Sequence, residues 1–236
     1  MKTILRFVSV CMLITSAASG DETSVTRPNI VFILIDDLRY DTFGFMGHSF
    51  VETPHIDALA EGGLQFTNAF VTASLCSPSR ASFLTGRYMH NHKVVDNADR
   101  MPEGTLTFPQ LLQKADYETA FIGKWHMGGS SAAPRAGFDH WVSFPGQSTY
   151  APGKHTLNIN GTLVPRRKYM TDELTDYAVD FITDPHSRPF MLYLSHKAAH
   201  SPFLAAPRHR GSYASETYPH PALMEDNDEN YEGKPA

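Results

Sequence analysis

Cysteine is almost absent from this chain: Cys11 and Cys76 are the two in 236 residues. Cys11 lies in a leader-like opening, so Cys76 is the one thiol left once that segment is removed. A disulfide framework is thereby excluded, and an exported chain would carry this thiol open to oxidation. A buried, inert cysteine is the plain alternative. An excess of positive charge is also lacking. Twenty Lys and Arg against 25 Asp and Glu give a net charge of −5, which argues against a sequence-independent nucleic-acid binder. Beyond the opening segment no apolar run is long enough to span a bilayer, and there is no internal repeat or low-complexity stretch.

What is present suits a packed domain, since 42% of residues are hydrophobic and 19% charged. Lys2 and Arg6, the apolar stretch Phe7 to Ile14 and the small residues Ala17-Ala18-Ser19-Gly20 predict a secretory signal peptide over 1–20, cleaved near Gly20. Cys11 has no small residue before it, so no lipoprotein attachment site is read. The expected destination is outside the cytoplasm: periplasmic, extracellular or a lysosome-like secretory compartment. Twelve histidines, several in short clusters, point to metal, anion or proton chemistry.

Asn29 to Ile35 (NIVFILI) is a continuous β-branched run, as expected of a buried strand. Thr53-Pro54 opens a predicted short helix with Thr53 as N-cap, and Gly62-Gly63 stops it. Gln65 to Phe70 reads as a further strand. Pro78 to Leu84 and Phe108 to Ala115 read as helices, Thr119 to Ile122 as a strand, and 128–155 as loop. Asn160-Gly161 between apolar runs predicts a hairpin over 155–164. Leu174, Tyr177, Ala178, Phe181 and Ile182 put a helix over 171–183, and Phe190 to Leu194 forms another buried strand. Strands alternating with helices argue for α/β with a largely parallel central sheet flanked by helices. In such sheets polar groups beyond the strand carboxyl ends share one crevice. Asp36-Asp37, Lys124-Trp125-His126 and His200 each follow a strand, so they are expected to converge.

The adjacent carboxylates Asp36 and Asp37 are either a solvated turn or a site for a hard divalent cation, which takes oxygen ligands. Cys76 at a helix N-terminus sits in a positive field. Arg80 lies one helical turn on, so its fork points back towards position 76 and suits a tetrahedral oxyanion. A thiolate nucleophile is the alternative. His90 and His92 either line the pocket or merely cap it.

Cys76-Ser77-Pro78-Ser79-Arg80, followed by Ala81-Ser82-Phe83-Leu84-Thr85-Gly86-Arg87, resembles the first motif of the formylglycine-dependent sulfatases, of the alkaline phosphatase-like superfamily. Gly123-Lys124-Trp125-His126 is similar to that family's second motif, Asp36-Asp37 to its metal-binding start and His200 to its downstream histidine. The resemblance implies that a formylglycine-generating or anaerobic sulfatase-maturing enzyme oxidises Cys76 to formylglycine, whose hydrate is the nucleophile. It implies that Asp36, Asp37 and Cys76 hold calcium, or magnesium in its place. It gives Arg80 the task of holding the hydrate, Lys124 and His200 the sulfate and the leaving alcohol, and His126 the proton whose loss expels sulfate.

Gly86 to Asn97, with His90-Asn91-His92 and two valines, resembles the N-acetylglucosamine-6-sulfatase branch, which implies a sulfated carbohydrate substrate. The family's metal site is completed by a later Asp-Asn or Asp-His pair, and a further lysine reaches the sulfate. Asp226-Asn227 follows no strand and reads as a solvated loop. Residues 21–236 are therefore expected to be the N-terminal part of a catalytic domain, truncated at its C-terminus, which by itself binds metal weakly and hydrolyses little. An apolar sheet edge is expected to lie open. The rival readings are a phosphonate or phosphodiester hydrolase, an inactive glycan-binding fragment, and a thiol-dependent enzyme.

Overall fold

The computed structural model describes residues 27–153 and 155–218, so the signal-peptide reading and Asp226-Asn227 lie outside the described residues. The strands are β1 (Ile30–Ile35), β2 (Glu118–Lys124), β3 (His140–Phe144), β4 (Thr156–Ile159), β5 (Thr162–Pro165) and β6 (Phe190–His196). They form one sheet in the order β1-β6-β2-β3-β4-β5. The first four run parallel, and the last two are added antiparallel. Sequence order and spatial order differ because parallel neighbours need a crossover, whereas Asn160-Gly161 joins β4 to β5 directly. Both turn residues have positive φ, 49° and 96°, as that hairpin turn requires.

The helices are α1 (Pro54–Gly62), α2 (Cys76–Thr85), α3 (Met89–His92), α4 (Phe108–Lys114) and α5 (Met170–Thr183). The apolar stripe of α5 packs Leu174, Ala178 and Phe181 on one face of the sheet, against Ile122, Leu192 and Leu194. On the other face Ala81 and Leu84 of α2 pack with Phe121, Trp141, Met191 and Tyr193. The central strand β6 is thus covered on both sides, which explains its unbroken apolar run. Truncating a side chain such as Leu192, fully buried, costs about 2–5 kcal/mol. At the sheet margin Val31 and Ile33 of β1 are 45% and 52% exposed, so the open apolar edge expected from the sequence is present.

Two readings are corrected. Residues 65–70 form no strand; Phe66 and Phe70 are 76% and 86% exposed and lie beside no sheet edge. Aromatic content favours a strand only where a partner supplies the ladder. The segment 128–155 is not loop throughout, because it contains β3, whose five residues are too few to stand out among Gly, Ser and Pro. Thr53 does occupy the N-cap position of α1, but its hydroxyl makes no cap bond. It donates to Asp57 Oδ1 at 2.6 Å and accepts from the Gly44 N–H at 2.8 Å, tying a preceding loop to the helix.

Gly123 lets the sheet close where the site begins. A Cβ there would stand 1.9 Å from the Ser195 carbonyl oxygen, and its φ of 126° is one that side chains resist. Gly123→Ala is expected to cost at least about 3 kcal/mol, read as a fall in the denaturant midpoint at unchanged slope. An unchanged midpoint would show that β2 and β6 can separate freely.

Candidate active site

Parallel strands deliver their carboxyl ends to one side of the sheet. Asp36 leaves β1, Lys124 ends β2, and His200 lies four residues past the end of β6. The N-terminus of α2 brings Cys76 to the same place. Asp36, Asp37, Cys76, Arg80, Asn97 and His200 line a cleft of about 550 Å³. The expected convergence is therefore found.

The cleft floor is an ion cluster. Asp36 is 6% exposed and accepts from Arg80 Nη2 at 3.1 Å and from the Lys124 ammonium. Burial works to raise the Asp36 pKa, but Arg80 and Lys124 together outweigh it and hold the carboxyl below its usual range. Lys124 is fully buried, and its Nζ also lies 3.6 Å from Cys76 Sγ. Arg80 donates through Nη1 to the Lys124 carbonyl at 2.7 Å and to the Ser195 hydroxyl. Its fork thus grips Asp36 and the ends of β2 and β6, while Nε has no partner.

Cys76 is the first residue of α2 and is half-buried. The first-turn amide of the buried Ser77, which has no partner within the helix, donates to Asn97 Oδ1 at 3.0 Å. The Ser77 hydroxyl donates to the His126 carbonyl at 2.9 Å and lies 3.5 Å from His126 Nδ1. His126 has φ of 64°, a left-handed bend that turns the chain after Lys124. Burial, with the charges of Lys124 and Arg80, pushes its pKa down to about 4. The imidazole is therefore a neutral acceptor near neutrality. His200 Nδ1 lies 3.0 Å from the Ser201 carbonyl, which only accepts, so Nδ1 donates there and Nε2 is left for other partners.

Ligand atoms of Asp36, Cys76 and His200 all lie within 4.8 Å of one another. Asp37 is exposed, with φ of 58°, and lines the same cleft without joining that group. His90 and His92 do not line it. The buried His92 accepts the Val94 N–H at Nδ1, 3.2 Å away, so its Nε2 donates to Ser82 on α2 at 3.0 Å. His90 is exposed and stacks on Tyr88.

Three polar groups at the site escaped the sequence reading. Ser195 is fully buried and hidden within the apolar run of β6. Lys197 is 1% exposed, donates to the Ser201 carbonyl at 2.9 Å and sits 4.9 Å over the Tyr150 ring. Burial, and then the Lys124 charge, lower its pKa. Its position just after β6 was the available signal. Asn97 carried none, because capping from a distant loop leaves no local spacing.

The Sulfatase family model matches residues 28–233 of this chain. An N-acetylglucosamine-6-O-sulfatase of Bacteroides thetaiotaomicron is 35% identical over 231 residues, covering 94% of this chain and 39% of the relative. The N-acetylglucosamine-6-sulfatase of Homo sapiens is 32% identical over 237 residues, covering 89% and 40%. The solved structure of BT4656 in complex with its substrate D-glucosamine-2-N,6-O-disulfate superposes with a TM-score of 0.79 at 35% identity, covering 85% of this chain and 40% of that one. The chain thus spans about two fifths of the length of the curated relatives it matches.

Arg80→Met leaves the Asp36 carboxylate one partner short in a buried place. It is expected to destabilise the fold by about 3–5 kcal/mol, measured by denaturant unfolding, and a loss within about 0.5 kcal/mol would contradict the ion cluster. His126 is expected to titrate with a midpoint of about 4 in a histidine-resolved NMR titration. Its folded pKa lies below the unfolded value near 6.5, so its contribution to stability is full above about pH 6.5 and is lost as pH falls towards 4.

Proposed function

This chain belongs to the sulfatase family, and on that premise we propose that it carries the nucleophile-bearing part of an exported hydrolase of sulfate esters on glycans. The observation that carries the reading is Cys76 at the head of α2, facing the cleft, with the Lys124 ammonium 3.6 Å from its Sγ. Buried cations beside a part-exposed nucleophile position suit an anionic, tetrahedral substrate group.

A maturing enzyme, formylglycine-generating or anaerobic, converts Cys76 to formylglycine in this reading; Pro78 and Arg80 stand where such enzymes read the motif. A hydrated aldehyde at that position supplies two hydroxyls on one carbon, one to attack sulfur and one whose deprotonation expels sulfate. Lys124 and His200 hold the sulfuryl oxygens and attend the leaving alcohol. The neutral imidazole of His126 accepts the proton of the second hydroxyl. Arg80 works from below, keeping Asp36 ionised and β2 against β6.

The residues present fit a calcium or magnesium ion. Asp36 and Asp37 offer hard oxygen donors at one cleft, and position 76 lies within the 4.8 Å group that includes Asp36. Such an ion, when bound, offsets charge on the sulfuryl oxygens as a Lewis acid.

For the substrate we favour a 6-sulfated N-acetylglucosamine unit. Gly86 to Asn97 supports this, as do two relatives named for that activity. Export is the corresponding location; no described helix is long and apolar enough to cross a membrane.

Peptide mass spectrometry across Cys76, on protein from the native host, is expected to show the aldehyde, and a fully unmodified thiol sinks that chemistry. In the full-length protein Lys124→Ala is expected to lower kcat for a 6-sulfated glucosamine by about 10²–10³-fold. Faster turnover of a matched phosphate ester than of the sulfate would transfer the assignment to a phosphorus-ester hydrolase.

A further inference from the structure

The segment that leaves β2 serves two places. Lys124 packs beneath the cleft on Asp36 and Cys76 and His126 packs on Ser77, whereas Trp125 and Met127 line a separate pocket of about 530 Å³. Its basic residues are Arg100 and Arg135. No ion pair joins either to a carboxylate among the described residues, although Glu103 stands on the same wall. Arg135 is part-buried; its Nη2 makes one long contact, 3.5 Å to the Ser131 carbonyl, and its buried Nε has no partner. Trp125 is 5% exposed, and its indole Nε1 is likewise buried without a partner.

The loop is shaped to admit these guanidiniums. A Cβ at Gly128 would lie 2.3 Å from Arg135 Nη2, and one at Gly129, where φ is 60°, would lie 3.2 Å from Arg100 Nη2. Two adjacent glycines thus make room for two like charges that repel. Burial lowers the Arg135 pKa, and Arg100 adds to that effect. Arg100 is exposed, so the buried orphan N–H donors are those of Arg135 and Trp125; beside two guanidiniums they match the oxygens of an anion, which would neutralise the repulsion.

We propose that this pocket is a second oxyanion site, taking a sulfate or carboxylate group beside the catalytic cleft. The site itself stands on Arg100, Arg135 and Trp125; only the identification of its natural ligand as a second anionic group of a glycan rests on the sulfatase reading. The two sites share the segment Lys124 to Met127, so a glycan bearing two anionic groups would span that segment.

Trp125 and Trp141 are the two tryptophans of these 236 residues, and Trp125→Phe and Trp141→Phe assign their indole N–H resonances in the full-length protein. Inorganic sulfate is titrated into the full-length Cys76→Ala protein while both indole N–H resonances are followed. Trp141 Nε1 is already bonded to the Ala132 carbonyl at 2.8 Å, so it reports whether the fold is intact. The Trp125 resonance is expected to move saturably and that of Trp141 to stay. Arg100→Gln and Arg135→Gln should each weaken the response about tenfold, with Arg135→Lys recovering part of it. No shift, or a shift undiminished in both glutamine variants, overturns the proposal.

Steady-state kinetics of the unsubstituted full-length enzyme against its Arg135→Gln variant separates the sources. A tenfold rise in KM for a disulfated glucosamine, with KM for the monosulfated sugar unchanged, assigns the pocket to substrate. Equal KM values in variant and parent, with the indole response present, assign it to a free anion. Absence of turnover on either sugar, with the indole response intact, would reject the sulfatase reading and leave the anion site standing.

Discussion

The buried carboxylate of Asp36 is the constraint on which the rest of the site depends. Two cations face it from two other elements, Arg80 on α2 and Lys124 at the end of β2. Each is costly to bury alone, and each becomes tolerable only in the presence of the others. The cluster therefore acts as a geometric lock. Arg80 also holds the Lys124 carbonyl and the Ser195 hydroxyl, so it joins β1, β2 and β6 at the level where the cleft begins. Cys76 is placed by the same helix that carries Arg80. A change in any partner is expected to move position 76 as well as the charge.

Much of this was legible in the sequence, for a physical reason. A strand buried on both faces must be apolar, so a polar residue immediately after such a run is conspicuous. Asp36, Lys124 and His126 announce themselves in this way, and the sheet topology then brings them together. Cys76 and Arg80 are related by one turn of helix, which is local information. The catalytic roles proposed for these residues come from the family motif and not from that spacing.

What escaped is non-local. Ser195 looks like a lapse in an apolar strand until β2 is laid beside it with Gly123 opposite. Lys197 was overlooked beside His200, although it follows the same strand. Asn97 caps a helix from a loop, bonding the amide of Ser77 twenty residues earlier. Conversely, the aromatic pattern of 65–70 suggested a strand that has nothing to pair with. Local propensity states what a segment can become, and the neighbouring edge decides whether it does.

The open flank of β1 has a consequence in the test tube and the cell. Val31 and Ile33 present apolar side chains beside a backbone edge that pairs only with β6 among the described residues. Neither a proline nor a charged residue interrupts Ile30–Ile35. Natural sheets guard such edges because an unguarded one is a template for another chain. When residues 27–218 are produced alone, the solubility of the polypeptide will be set at this strand: added charge at Val31 or Ile33 should keep it dispersed, and rising concentration should drive it into β-paired aggregates.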